Sequence, residues 1–100
     1  MESIGIKIKV FLIGRIGEKK GVREFDAILQ ENASLQDLVV LLSERLGASF
    51  AKELKPIEGI GAPLYVLMIN GISADLDALS SIKLKDQDVV TVAPILIGGG

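Results

Sequence analysis

The sequence has 100 residues, of which 49% are hydrophobic and 4% aromatic, and a formal net charge of −2. That size holds one small domain around one core, which has to be built from Ile, Leu and Val. Cysteine and histidine are both absent, which excludes a disulfide framework, a thiolate or imidazole metal site, a cysteine nucleophile and the common general base near neutral pH.

From Ile4 the chain reads "IGIKIKVFLI". Ile4, Ile6, Ile8 and Val10 alternate with Gly5, Lys7 and Lys9, the period of two that predicts a strand with one solvated face. "GRIGEKKG" (Gly14 to Gly21) is rich in glycine and charge and reads as a turn. A second strand is expected over Val22 to Leu29, with Val22, Phe25 and Ile28 as its apolar members, so the first two strands should form a hairpin. Ser34 then precedes Leu35, Leu38, Val39, Leu42 and Leu46, one apolar face at helical spacing. Ser34 can accept from the first-turn amides, Asp37 suits the positive end of the helix dipole, and Gly47 supplies a left-handed residue after the last turn.

"ASFAKEL" predicts a short helix, and Pro56, Gly59, Gly61 and Pro63 punctuate a loop. "LYVLMIN" (Leu64 to Asn70) is a continuous apolar run, too short for a helix, and reads as a buried strand with a turn at Asn70-Gly71. A short edge segment is expected around Ile82 to Leu84, then a turn in which Asp86 and Asp88 are solvated. The last strand is expected from Val89 to Ala93, with Pro94 ending its hydrogen-bonding ladder. One helix over a mixed sheet is a two-layer α+β domain.

The longest apolar runs, "VFLI" and "LVVLL", fall far short of the roughly 20 residues that span a bilayer. The opening "MESIGIKIKV" carries an acid at position 2 and enters a strand pattern at once, so no signal peptide is expected and the cytoplasm is the expected location. Neither a membrane nor nucleic acid is an expected partner, since Arg15, Lys19, Lys20 and Arg23 read as a solvated loop.

The element order, together with the closing "APILIGGG", resembles the ubiquitin-like β-grasp fold. More narrowly it resembles the sulfur-carrier branch, which includes the small subunit of molybdopterin synthase and the thiamine-pathway sulfur carrier. The resemblance runs through "IKIKVFLIGRIGE", the "SLQDLVVLLSERLG" helix, "VLMING", "LKDQDVVTVAP" and the closing Gly-Gly. The molybdopterin-synthase type is the closer of the two, because its members share an "L-x-D-G-D-x-V" turn and a strand that ends in proline before a short tail. The present sequence departs from that pattern with Gln87 in place of the turn glycine, with "ILI" in the tail, and with three glycines at the end.

The resemblance implies a mixed sheet of about five strands packed on one main helix, with a β-grasp domain over residues 1–94 and a glycine-rich tail over 95–100. It implies a sulfur carrier whose reactive group is the carboxylate of Gly100. An E1-like adenylating enzyme would convert that carboxylate to an acyl-adenylate using ATP, and sulfur would displace AMP to leave a thiocarboxylate. The large subunit of molybdopterin synthase would receive it for molybdenum cofactor biosynthesis. On this reading the chain binds no cofactor or metal itself and is a carrier subunit of a sulfurtransferase. The alternatives are a ubiquitin-like modifier joined through Gly100 to lysines of target proteins, and a plain β-grasp interaction module.

Physics adds a reason for the tail's composition. Gly98 and Gly99 lack a Cβ, so they can thread a narrow channel along paths closed to other residues. Ordering each tail residue costs about 1–2 kcal/mol, which glycine does not offset. Burying Ile95, Leu96 and Ile97 in a partner groove can return about 1.5–3 kcal/mol each. A continuation of the last strand over the core by these three residues stays open as the other reading.

Overall fold

A computed structural model describes residues 5–14 and 23–95 of the chain. The expectations for residues 1–4, for most of the turn (15–21), for Val22 at the start of the second strand and for the tail at 96–100 lie outside the described residues.

The alternating segment forms β1 (Gly5–Leu12), which buries Ile6, Ile8, Val10 and Leu12 and turns Gly5, Lys7 and Lys9 to solvent. Antiparallel to it runs β2 (Arg23–Gln30), in register from Gly5 opposite Gln30 to Leu12 opposite Arg23. The hairpin is as expected, but the inward set differs. Ala27 is buried, with Phe25 and Leu29 packed against the core, whereas Ile28 is 64% exposed. A strand has a strict period of two, so Phe25 and Ile28, three apart, cannot share a face. Arg23 also departs from expectation. It opens β2, within the strand expected from Val22 and not in a solvated loop, and its Nε and Nη2 are buried with no hydrogen-bond partner.

Helix α1 (Leu35–Leu46) buries Leu35, Leu38, Val39 and Leu42 against the sheet. Its N-terminus is a capping box: the Asp37 N–H donates to Ser34 Oγ at 3.3 Å, and the Ser34 N–H donates to Asp37 Oδ2 at 2.8 Å. Gly47 follows with φ 109° and ψ 152°, a positive φ as expected but extended rather than left-handed helical. Helix α2 (Ser49–Glu53) places Phe50 in the core, 5.5 Å from the ring of Tyr65.

Strand β3 (Tyr65–Ile69) turns at Asn70 (φ 52°) and Gly71 (φ 86°) into β4 (Ile72–Ser73). Two consecutive positive φ values are what a tight hairpin turn needs. The short edge strand is therefore β4, and Ile82 to Leu84 is not a strand. After a 3₁₀ turn (Leu79–Ser81), this segment makes an isolated bridge between Lys83 and Ser34. There the Leu35 N–H donates to the Ile82 carbonyl at 2.8 Å, and the Leu84 N–H donates to the Ala33 carbonyl at 2.9 Å. The segment thus satisfies an amide of the helix start, which has no partner within the helix.

Strand β5 (Val89–Pro94) completes a five-stranded sheet of order β2-β1-β5-β3-β4, with β5 parallel to β1 and antiparallel to β3. The acidic turn before it is not simply solvated. The Lys7 N–H donates to Asp86 Oδ1 at 2.8 Å, the Lys85 N–H to Asp88 Oδ2 at 2.8 Å, and Asn70 Nδ2 to Asp88 Oδ1 at 3.0 Å. The bond from Lys7, with a second from the Gln87 side chain, holds the Asp86 carboxyl below the usual carboxylate range. Gln87 takes φ 73°, the conformation for which glycine is the usual residue. Among the described residues no helix is long and apolar enough to cross a membrane.

Candidate functional site

The described part of the chain ends one residue after β5, the central strand of the sheet. Its last described residues are held on both sides. Toward β3 the pairing runs past the proline: Tyr65 lies opposite Pro94, and the Ile95 N–H donates to the Leu64 carbonyl at 2.9 Å. Pro94 was expected to end this ladder and does not. Tyr65 and Pro94 form a pair that exchanges no hydrogen bonds with each other, so the missing N–H costs nothing on that side.

Toward β1 the Ile13 N–H donates to the Val92 carbonyl at 2.9 Å, and β1 then turns away at Gly14, where φ is 77°. The pyrrolidine ring of Pro94 fills the space beside Gly14. A Cβ added there would lie 3.0 Å from Pro94 Cγ and 3.1 Å from Cδ. The tail root is thus clamped between Leu64, itself bonded through its N–H to the Glu53 carbonyl at 2.8 Å, and a glycine that leaves room for the ring.

Ile95 belongs to this root. It is half-buried, with its backbone paired to β3. Leu96, Ile97, Gly98, Gly99 and Gly100 lie outside the described residues. Asn70-Gly71 is the tight turn expected of it, and the Asn70 side chain also accepts from the Val89 N–H at 2.9 Å. The amide thereby ties the start of β5 to the β3–β4 turn.

One feature escaped the sequence reading. On the sheet face away from the helix, register places Phe11 beside Thr91, Thr91 beside Met68, and Ala93 beside Val66. Phe11, Val66, Met68 and Ala93 are half-buried, and Ile13 is 40% exposed. This apolar strip lies at the same end of the sheet as the tail root. Its signal was the loss of alternation in "KVFLI" and "LYVLMI", where both faces of a strand carry apolar side chains. At the other margin of that face, Lys9 pairs with Glu24 at 3.3 Å. Among the described residues no group of three or more His, Cys, Asp or Glu could hold a metal ion.

The fold can be placed among solved structures. A Pyrococcus furiosus protein described as "Putative molybdopterin converting factor, subunit 1" superposes with a TM-score of 0.64 at 26% identity, covering 91% of this chain and 99% of that one. The chain is a β-grasp domain. A Haloferax volcanii protein solved in solution matches with a TM-score of 0.65 at 18% identity, over 95% of this chain and 88% of that one, a likeness of fold. No protein-family model and no curated protein matches the sequence.

Proposed function

We propose that this β-grasp chain is a sulfur carrier of the molybdopterin-synthase small-subunit type and acts in the cytoplasm. The likeness to the Pyrococcus furiosus converting-factor subunit supports this reading. The single observation that carries it to particular residues is the root of the tail. The domain holds Pro94 and Ile95 by backbone pairing, a fixed base from which the proposed tail would reach a second protein.

The chemistry follows from what the chain has to offer. With no cysteine in the sequence, sulfur has no thiol to ride on, and the carboxylate of Gly100 is the group that remains. An E1-like adenylating enzyme joins that carboxylate to the α-phosphate of ATP and releases pyrophosphate. Attack by a sulfur nucleophile on the acyl carbon then expels AMP and leaves a thiocarboxylate. Gly98 and Gly99 keep the final segment thin enough for an enzyme channel, while Leu96, Ile97 and the outer side of Ile95 anchor it in a groove. The apolar strip of Phe11, Val66, Met68 and Ala93 gives the large synthase subunit and the adenylating enzyme a surface continuous with that anchor. Exposed apolar patches of this kind mark protein contacts.

Intact mass of the chain isolated from its own cells tests the reading. The expected result is a species heavier by the difference between one sulfur and one oxygen atom, absent once Gly100 is deleted. A chain that never gains that mass but forms Gly100-dependent ladders on lysines of other proteins would replace the carrier reading with the modifier. A chain that does neither is an interaction module.

A further inference from the structure

A second site lies two strands from the tail root, on the helix side of the sheet. Leu12, Arg23, Glu24, Phe25, Arg45 and Leu46 line a cleft of about 340 Å³ at the C-terminal end of α1. Two of these residues are arginines, and among the described residues neither makes an ion pair. Arg45, in the last turn of the helix, stacks its guanidinium carbon 4.5 Å from the centre of the Phe25 ring. A cation over an aromatic ring at that distance is held by the ring's face, and Arg45 makes no ion pair among the described residues.

Arg23 is the more informative of the two. The nitrogens it leaves buried and without partners are Nε and Nη2. Their N–H groups point the same way along one edge of the guanidinium, the fork that grips two oxygens of a carboxylate or phosphate at once. Burying such donors without acceptors is costly, and an oxyanion relieves that cost more fully than any neutral group. The one carboxylate in the lining, Glu24, is engaged with Lys9 at 3.3 Å, so the balance of charge at the cleft is positive. Leu12, Phe25 and Leu46 make the rest of the wall apolar.

We propose that Arg23 and Arg45 form a binding site for a ligand that carries a carboxylate or phosphate group on an apolar body. The Arg23 fork holds two oxygens of the acid, Arg45 adds a second cation, and the apolar body lies against Phe25 and the two leucines. Because Arg23 Nε and Nη2 are buried, the proposal requires side-chain rotation for entry, which the exposure of Arg45 and the half-burial of Arg23 permit. This site uses none of the tail residues, so it stands or falls independently of the sulfur-carrier reading.

The test is a titration of the full chain, labelled with ¹⁵N at the arginine side chains, with benzoate and with phenyl phosphate at constant ionic strength. Acetate and inorganic phosphate serve as the ligands without an apolar body. The expected result is a saturable shift of the Arg23 Nε–H signal, half-complete on the order of 1 mM. It should be at least ~10-fold weaker in Arg23→Gln and weakened in Arg45→Gln, as loss of a charge-assisted bond predicts. Arg23→Lys keeps the charge but loses the fork, and should also bind weakly. Whether benzoate or phenyl phosphate binds tighter identifies the acid. Small linear shifts, equal in the wild-type chain and in Arg23→Gln, overturn the proposal. If Arg23→Gln fails to fold, Arg45→Gln and Arg23→Lys decide the matter.

Discussion

Replacing Gly14 with alanine tests how the domain grips the root of its tail. Two costs should add. The first is conformational: at φ 77° a Cβ meets its own backbone, a strain of about 1–2 kcal/mol. The second is contact. The new methyl would sit 3.0 Å from Pro94 Cγ, so the ring must give by a few tenths of an ångström. Pro94 is exposed and can shift, so this lies near the lower end for overpacking, about 1 kcal/mol.

Gly59→Ala is the matched control, because Gly59 has φ 88° and nothing within 4 Å of the added Cβ. In urea or thermal unfolding, Gly14→Ala should lose about 2–3 kcal/mol and Gly59→Ala about 1–2 kcal/mol, at roughly 4–8 °C per kcal/mol for a domain of this size. Adding Pro94→Ala to each variant completes the cycle, and the Gly14 pair should couple by about 1 kcal/mol while the Gly59 pair adds independently. Below both transitions, Gly14→Ala alone should slow adenylation, since it alone displaces the base of the tail. If the two glycine variants lose equal stability and neither couples to Pro94, the clamp at the tail root carries no energy and the reasoning fails.

Other expectations follow from the same structure. Leu42→Ala, fully buried on α1, should cost about 2–5 kcal/mol by equilibrium unfolding, with little change in the denaturant slope. Ser34→Ala removes the bonds made by Oγ but leaves the residue-34 N–H bonded to Asp37, and should cost about 1 kcal/mol; Asp37→Ala removes that remaining half, so the double variant should lose more than either single one. The Asp86 carboxyl titrates below its unfolded value of 3.8. Its contribution is therefore complete above that pH and lost as pH falls below it. A melting-temperature profile taken from neutral pH into this acid range should be flatter for Asp86→Asn than for wild type, and parallel profiles would show that the bond from Lys7 is not felt. The triple variant with alanine at Ile95, Leu96 and Ile97 should fold, because the Ile95 bond to Leu64 is a backbone bond, yet be adenylated slowly. Equal adenylation rates would remove the anchor role.

Much of the fold was legible before any coordinates because its signals are local. Alternation in β1, the Ser34 cap with its helical stripe, and the Asn70-Gly71 turn each depend on residues a few positions apart. The misreadings came where a local signal was ambiguous. Ile28 is as apolar as any core residue, and only the pairing register with β1 shows that it faces solvent. Leu84 is buried, so Ile82 to Leu84 looks like a strand, yet its role is to meet the start of α1. The carboxylates of Asp86 and Asp88 read as surface charge, but Asp86 accepts from Lys7, 79 residues away in the chain.

The sequence by itself determined which segments could be strands and which the helix. It also set the reactive possibilities, since a chain without cysteine or histidine has few groups with which to do chemistry. Only the tertiary structure decided what surrounds the tail root. Gly14 meets Pro94 because a parallel β1–β5 pair joins the two ends of the domain. Pairings of that kind depend on closing long loops around a shared core. No window of neighbouring residues contains that information.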